Sequence, residues 1–263
     1  MATLPKHARV VVVGQGGIVG ASVVHHLIEE GWDDIVGLEK SAIPTDIGST
    51  SHASDFCYMT SHDKLNVEIT NYSREFYAKR GNYIQTGGLE VARKGDDERM
   101  LELIRKVGSG KAFGTNAYMI SAAEAKEKFP LLEEDQIQGA LWDPDAGLVT
   151  PRSQKVAGDL VDDAMASGKL KAFAYTPASK LLVEDGEIKG VETPKGTIIA
   201  DYVVLCVGIW GNLVSQTAGV KLPLMPLEHP LLFFGPWDHL EGTGKDIVYP
   251  LMRDQGNSAY VRD

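Results

Sequence analysis

The sequence predicts an α/β chain in which a helix-flanked parallel sheet is interrupted by a mixed α+β excursion. Three observations predict it. Residues 9–40 read as strand, glycine turn, helix, strand and acid. Residues 181–211 read as a β-meander running into a second buried strand that ends in another glycine turn. Between the two, periodicities alternate between helix and strand without repeats or low-complexity segments.

The first unit opens on Arg9-Val10-Val11-Val12-Val13, a β-branched run too short for a helix and apolar on both faces, as in the centre of a parallel sheet. Gly14-Gln15-Gly16-Gly17-Ile18-Val19-Gly20 follows at once, then a helical stretch with Val24, Leu27 and Ile28 on one face and a C-cap at Gly31. Ile35 to Leu38 is the second strand, and Glu39 stands at its end, 25 residues after Gly14. A dinucleotide suits this unit. Its pyrophosphate is drawn to the helix N-terminus, where a Cβ in the turn would block its approach, and the acid accepts hydrogen bonds from a ribose diol. The unit by itself leaves open whether the dinucleotide is NAD or FAD. His25 and His26 are neighbours on the helix and read as surface or packing residues.

Residues 41–56, including Gly48-Ser49-Thr50-Ser51-His52-Ala53, are small and polar and read as a loop against a ligand. Helices are expected over 64–80, 96–107 and 151–166, with a short one opened by the capping box Ser121-Ala122-Ala123-Glu124. Strands are expected after Gly87-Gly88 and at Gly139 to Trp142. Leu181 to Val183, Glu187 to Val191 and Thr197 to Ala200 form the meander, with turns at Asp185-Gly186 and Lys195-Gly196. The buried run Val203 to Val207, ending at Gly208-Ile209-Trp210-Gly211, then returns the chain to the first sheet.

Composition excludes several classes. The chain has 263 residues, enough for one or two domains, and is 43% hydrophobic and 24% charged, ordinary values for a globular protein. No apolar run approaches the ~18 residues of a spanning helix. A net charge of −10 gives no broad attraction to nucleic acid or anionic lipid, so neither is an expected partner. Cys57 and Cys206 are too few and too far apart for a disulfide framework or a zinc site; both read as reduced, buried thiols, and no metal is expected. The N-terminus carries neither a signal core nor a transit pattern, which suggests the cytoplasm. The 28 glycines, about 11% of the chain against a usual ~7%, call for open backbone conformations or close approaches.

Taken together, Val11 to Gly20, Leu38-Glu39-Lys40, Gly48 to Ala53, Gly87-Gly88-Leu89-Glu90-Val91-Ala92, Val203 to Gly211, and the stretch from Pro226-Leu227-Glu228-His229 to Tyr260-Val261-Arg262 resemble a known group. It is the FAD-dependent amine oxidoreductases that include dimethylglycine oxidase, dimethylglycine dehydrogenase and sarcosine dehydrogenase. The resemblance covers nearly the whole chain. It implies a Rossmann-like FAD-binding domain over 1–83 and 150–219, with an interleaved α+β substrate domain over 84–149 and 220–263. It implies that Gly14, Gly16, Gly17 and Gly20 cradle the FAD pyrophosphate and that Glu39 holds the ribose, with Lys40 beside it. It makes His52 the covalent flavin anchor, with Ser49, Thr50 and Ser51 as polar contacts and Gly208 and Trp210 in a flavin-facing turn, as Gly48 and Gly87-Gly88 would also be. His229 and Tyr260 would lie on the substrate side, where a near-neutral imidazole or a phenol oxygen holds an amine in its neutral form.

The implied activity is oxidation of an N-methylated amine, such as dimethylglycine or sarcosine, with electrons passing to oxygen or to a carrier protein. Alternatives remain for each part. His52 could touch FAD without a bond, His229 and Tyr260 could be packing residues, and Trp142, Trp210 and Trp237 suit a core as well as a substrate cage. The donor could be another amine, an amino acid or a glycerol-phosphate-type molecule, or the chain could be a non-catalytic flavin-binding portion. Three departures stand out. The first glycine turn is one residue longer than Gly-x-Gly-x-x-Gly, leaving Gly16 and Gly17 interchangeable. Asp55 and Phe56 follow the histidine where small residues are usual. The chain also stops soon after the Tyr-x-Arg strand, whereas relatives continue, so the fold is expected to be C-terminally incomplete and the isolated chain inactive without the remainder.

Overall fold

The computed structural model describes residues 3–235, 237–238, 247 and 249–262. Met1 and Ala2 of the N-terminal reading, and most of 236–248 within the family-like C-terminal stretch, lie outside them. The chain divides into two compact units, Met1–Ala53 with Pro151–Leu232 and Ser54–Thr150 with Phe233–Asp263. Residues 54–83, expected with the first sheet, therefore pack with the second, and 220–232 pack with the first.

The first unit carries a six-stranded sheet. Its elements are β1 (His7–Val13), α1 (Ile18–Glu29), β2 (Ile35–Leu38), α5 (Ser153–Ala166), β9 (Leu170–Phe173), β10 (Lys180–Glu184), β11 (Glu187–Thr193), β12 (Gly196–Leu205) and the short α6 (Gly211–Ser215). The strand order is β10-β11-β12-β1-β2-β9. β1 lies between β2 and β12 and is parallel to both, with Val10 opposite Ile35 and Val11 opposite Val203. Val10, Val11 and Val12 are at most 1% exposed, as the unbroken β-branched run requires. Burying each such side chain contributes about 1.5–3 kcal/mol relative to leaving it in water.

The third meander strand and the run from Val203 are one element, and Val203 to Val207, expected to be buried, are only half-buried. β12 pairs antiparallel with β11 over Gly196–Ile199 and parallel with β1 from Ile199 to Leu205. One strand thus changes partners along its length, although its sequence reads as two. α1 ends as expected, with Gly31 at φ 85° and Trp32 N–H reaching back to the Leu27 carbonyl at 2.8 Å.

The glycine turn is held against β2 by hydrogen bonds and by packing. Gly14 and Gln15 both donate to the Leu38 carbonyl, at 2.8 and 3.2 Å, which locks the turn onto β2. Gln15, within the turn, is fully buried, and its amide has no hydrogen-bond partner among the described residues. A Cβ added at Gly37 would stand 2.7 Å from Gln15 Cγ, so the glycine inside the β-branched second strand is the space that Gln15 fills. Gly16 stays within the turn, while Gly17 is the extended residue that precedes α1.

The second unit contains β3 (Phe56–Cys57), α2 (Lys64–Lys79), β4 (Tyr83–Ile84), β5 (Gly88–Arg93), α3 (Asp97–Ala112), β6 (Tyr118–Ile120), α4 (Ala122–Lys128), β7 (Ile137–Asp143), β8 (Gly147–Val149), β13 (Leu251–Asp254) and β14 (Ala259–Val261). They form a five-stranded sheet, β14-β13-β5-β7-β6, and a small three-stranded one, β3-β8-β4. The capping box is present, with Ser121 N–H donating to Glu124 Oε2 at 2.7 Å and Glu124 N–H to Ser121 Oγ at 3.3 Å. Gly87 and Gly88 make room for rings of their own unit. An added Cβ would meet the Trp142 indole at 2.1 Å and the Tyr58 ring at 2.6 Å respectively. Neither glycine needs a flavin to explain it.

Leu89 and Val91 of β5 pack with Ile120, Phe129 and Ile137, while Ala92 packs with Leu103 and Val107 of α3 on the other face. Glu90 belongs to the α3 face, and Lys106 Nζ donates to its Oε2 at 2.6 Å with both side chains almost wholly buried.

Gly37→Ala overpacks against Gln15 and is expected to cost about 1–3 kcal/mol in urea unfolding. Adding Gln15→Ala should recover part of the loss; no recovery in the double variant would show that the two positions are uncoupled. Lys106→Met leaves Glu90 buried without its cation and is expected to cost about 3–5 kcal/mol, measured the same way. A loss below 1 kcal/mol would contradict a buried ion pair.

Candidate flavin-binding site

The carboxyl ends of β1, β2 and β12 meet at one place. From β1 the chain crosses through α1 to β2 on one side, while β12 lies on the other, and the carboxyl edge where the three strands end is the place at which open α/β sheets bind ligands. There the first unit holds a cavity of about 460 Å³, within the ~300–1,000 Å³ range of small-molecule sites. Its walls include Gly14, Gly17, Glu39, Lys40, Gly48, Ser49, Thr50, Gly208 and Trp210, nine of the residues expected on sequence grounds. Leu205, Cys206, Val207, Pro177 and Ala178 add an apolar floor. Cys206 is half-buried, and burial pushes its thiol above the ordinary value, so it lines the cavity as an uncharged group rather than a nucleophile.

Whether a dinucleotide fits can be tested at the glycines and the acid. Gly14, at φ 84°, lies so close to β12 that an added Cβ would be 2.4 Å from the Cys206 carbonyl oxygen. Gly20 brings α1 onto the turn, since its Cβ would be 2.3 Å from the Gly14 carbonyl oxygen. Both glycines thus act through the protein's own backbone, shaping the cradle and aiming the start of α1 at the cavity. Gly208 adopts φ 52°, with nothing within 4 Å of an added Cβ, so its backbone conformation alone favours glycine.

Glu39 is only 6% exposed yet borders the cavity. Its Oε1 accepts from Ser41 N–H at 3.1 Å and Ser41 Oγ at 3.3 Å, and its Oε2 accepts from Gly16 N–H at 3.1 Å. A carboxylate has about four acceptor positions, so one remains for a ribose hydroxyl. The geometry fits the adenosine end of a dinucleotide.

The polar loop is tied down from several directions. Thr50 Oγ1 accepts from Ile18 N–H at 3.1 Å and so caps the start of α1. Thr45 N–H donates to the Gly16 carbonyl at 2.9 Å, Gln154 Nε2 to the Thr45 carbonyl at 2.7 Å, and Arg152 Nη2 to the Ala53 carbonyl at 3.2 Å. The Trp210 ring packs against Gly48, where a Cβ would be 3.4 Å away, and carries the Lys40 ammonium 3.4 Å from its centroid. Thr45, Gln154 and Arg152 escaped the sequence reading, because a polar residue that pins a loop carries no signature of its partner.

Other expected residues lie elsewhere. Gly16, Gly20, Ser51 and His52 are next to the cavity in sequence but do not form its wall. His52 is exposed, and its Nδ1 is 3.0 Å from the Gly48 carbonyl oxygen and 2.9 Å from Ser51 Oγ. His229 is exposed on the irregular segment after α6 and does not line the cavity. Tyr260 is on β14 of the second unit, edge-on against Phe56 at 5.0 Å. Asp55, one of the departures, adopts a left-handed φ of 66° and has Arg262 3.8 Å from its carboxylate. Among the described residues, no helix is long and apolar enough to cross a membrane.

Comparison with known proteins agrees with this geometry. The profile of the family described as FAD dependent oxidoreductase matches residues 9–263. The chain is 31% identical to the mitochondrial pyruvate dehydrogenase phosphatase regulatory subunit of Mus musculus over 99% of its own length and 29% of that protein. It is 30% identical to human mitochondrial sarcosine dehydrogenase over 98% of its length and 28% of that protein. It therefore spans less than a third of these curated relatives. Among solved structures, L-proline dehydrogenase from P. horikoshii superimposes with a TM-score of 0.81 at 28% identity, covering 99% of this chain and 68% of that one. With a family match over nearly its whole length and a glycine turn, acid and cavity that fit the cofactor, the chain belongs to the FAD-dependent oxidoreductase family.

Proposed function

We propose that this chain forms the FAD-binding portion of an oxidoreductase that oxidises an N-methylated amine of the dimethylglycine or sarcosine type. The observation that carries the reading is the cavity at the ends of β1, β2 and β12, bordered by Glu39 and by the loop that leads to His52. FAD supplies the two-electron acceptor, and the protein supplies orientation, electrostatics and exclusion of water. Gly14, Gly17 and the start of α1 take the pyrophosphate, and Glu39 takes the ribose. Ser49, Thr50, Gly208 and Trp210 line the path onward, with Lys40 holding the indole.

His52 is the covalent anchor in this reading. A carbonyl oxygen only accepts, so the contact with Gly48 puts the ring proton on Nδ1 and leaves the lone pair of the neutral imidazole on Nε2, which makes Nε2 the attacking atom. His229 and Tyr260 are assigned to the substrate side, where they keep the amine neutral. Only a neutral nitrogen has a lone pair to support departure of hydride from the neighbouring carbon. Oxygen or an electron-transfer protein accepts the electrons. Sarcosine, an N-methylated amino acid, is the substrate named for one relative, and this supports the substrate class.

A second reading has its own observation. Another relative of equal similarity is named a phosphatase regulatory subunit, so a chain of this family can serve a regulatory assembly. In that case the FAD site would be structural and no amine would reduce it.

Glu39→Gln is expected to weaken FAD binding at least about tenfold by fluorescence titration. Every group now facing Glu39 is a donor, and an amide NH₂ would oppose one of them at the cost of a charge-assisted hydrogen bond, about 1.5–3 kcal/mol. Unchanged affinity would remove Glu39 from the ribose. Anaerobic addition of sarcosine or dimethylglycine to the flavin-loaded, full-length protein should bleach the visible absorbance of the oxidised flavin. Bleaching by other amines or amino acids but by neither of these would move the substrate class, and no bleaching by any would favour the regulatory reading. Mass spectrometry of the denatured protein should find FAD on the peptide containing His52; FAD recovered only as the free cofactor would refute the anchor.

A further inference from the structure

The hydroxyl of Ser51 closes a triangle with His52 and Gly48. Its Oγ donates to the Gly48 carbonyl at 3.0 Å and is 2.9 Å from His52 Nδ1, which stands 3.0 Å from the same carbonyl. Gly48 O has two lone pairs and receives both protons, so in this state every member is satisfied. Nε2 has no place in the triangle.

Joining a carbon to Nε2 upsets that balance. The alkylated ring stays neutral only by shedding the Nδ1 proton, and Nδ1 then presents a lone pair to a carbonyl oxygen 3.0 Å away. Two acceptors at that distance repel. Ser51 carries a donor already within hydrogen-bond distance of Nδ1, and a rotation about its Cβ–Oγ bond turns the O–H from Gly48 O to Nδ1 without moving the backbone. The backbone is held independently, since Arg152 donates to the Ala53 carbonyl and Thr50 is fixed to Ile18.

We infer that Ser51 is a positioning residue for attachment of the flavin to His52. It braces the Nδ1–H tautomer before the bond forms, and it donates to Nδ1 once that proton has left. The inference rests on the reading of His52 as the anchor. A C–N bond forms between Nε2 and the carbon of the flavin 8-methyl group, one methyl C–H and the Nδ1–H are broken, and the C–H electron pair enters the isoalloxazine ring. Dioxygen then takes that pair and the two protons, is reduced to hydrogen peroxide, and returns the ring to its oxidised state.

Thr and Val have nearly the same shape, but only Thr keeps the hydroxyl, so Ser51→Thr and Ser51→Val separate the hydrogen bond from packing. Each variant, with Ser51→Ala as a smaller control, is mixed as apoprotein with FAD in air. The fraction of flavin on the His52 peptide is followed by mass spectrometry and expressed per bound flavin. Attachment in Ser51→Thr is expected within about threefold of the wild type, and in Ser51→Val and Ser51→Ala at least about tenfold slower. Wild-type rates in the Val and Ala variants would overturn the inference while leaving the anchor in place. Equal loss in Thr and Val would also overturn it, by showing that shape rather than the hydroxyl matters. Absence of flavin from the wild-type His52 peptide would remove the anchor and this inference together.

Discussion

The approach of the Gly14 turn to the Cys206 carbonyl is the constraint on which the rest of the first unit depends. No side chain fits between them, since a Cβ on Gly14 would stand 2.4 Å from that oxygen. This contact brings the end of β1 against the end of β12. From there, Gly20 lets α1 close onto the turn, Gly14 and Gln15 bind the end of β2, and the three strand ends enclose one cavity. Widening the contact by one methyl group would separate the elements that carry Gly208 and Trp210 from those that carry Glu39 and Lys40.

Charge in this chain is placed where donors already wait for it. Glu39 is nearly buried, yet three protein donors hold it as a carboxylate acceptor beside an apolar floor, and its remaining acceptor position is the one a ribose would use. In the second unit, Glu90 is fully buried but answered by Lys106, and Asp143 accepts from Met59 and Thr60 N–H at 3.0 and 2.9 Å. Burial raises the Asp143 carboxyl above its ordinary range while those hydrogen bonds pull it back. The contrast lies at Gln15, whose buried amide has no partner among the described residues. Its alkyl stem fills the gap at Gly37, so volume rather than hydrogen bonding explains its position.

The parts of the site that were legible in the sequence are those that depend on neighbours along the chain. A β-branched run, a glycine turn and a helix form one local unit, and Glu39 follows because a helix and a short strand fix its distance from Gly14. The capping box at Ser121 was readable for the same reason. What escaped were pairings across the fold. Gln15 explains the glycine at position 37 inside a strand, but the two are 22 positions apart. Gly87 and Gly88 looked like flavin-facing glycines and instead accommodate Trp142 and Tyr58. β12 looked like two strands because its partner changes from β11 to β1 at Ile199, and a strand carries no mark of what lies beside it.

By itself the sequence determined that a parallel α/β unit with a dinucleotide-type turn surrounds an α+β excursion, because periodicity, glycine placement and caps are local properties of the chain. Only the tertiary structure decided that residues 54–83 pack with the second unit, that Ser49 and Thr50 enter the cavity wall while His52 stands outside it, and that Thr45, Gln154 and Arg152 hold the loop between. The physical reason is the same in each case. Close packing and hydrogen bonding are settled by residues distant in sequence, and a side chain's identity does not say which of them it will meet.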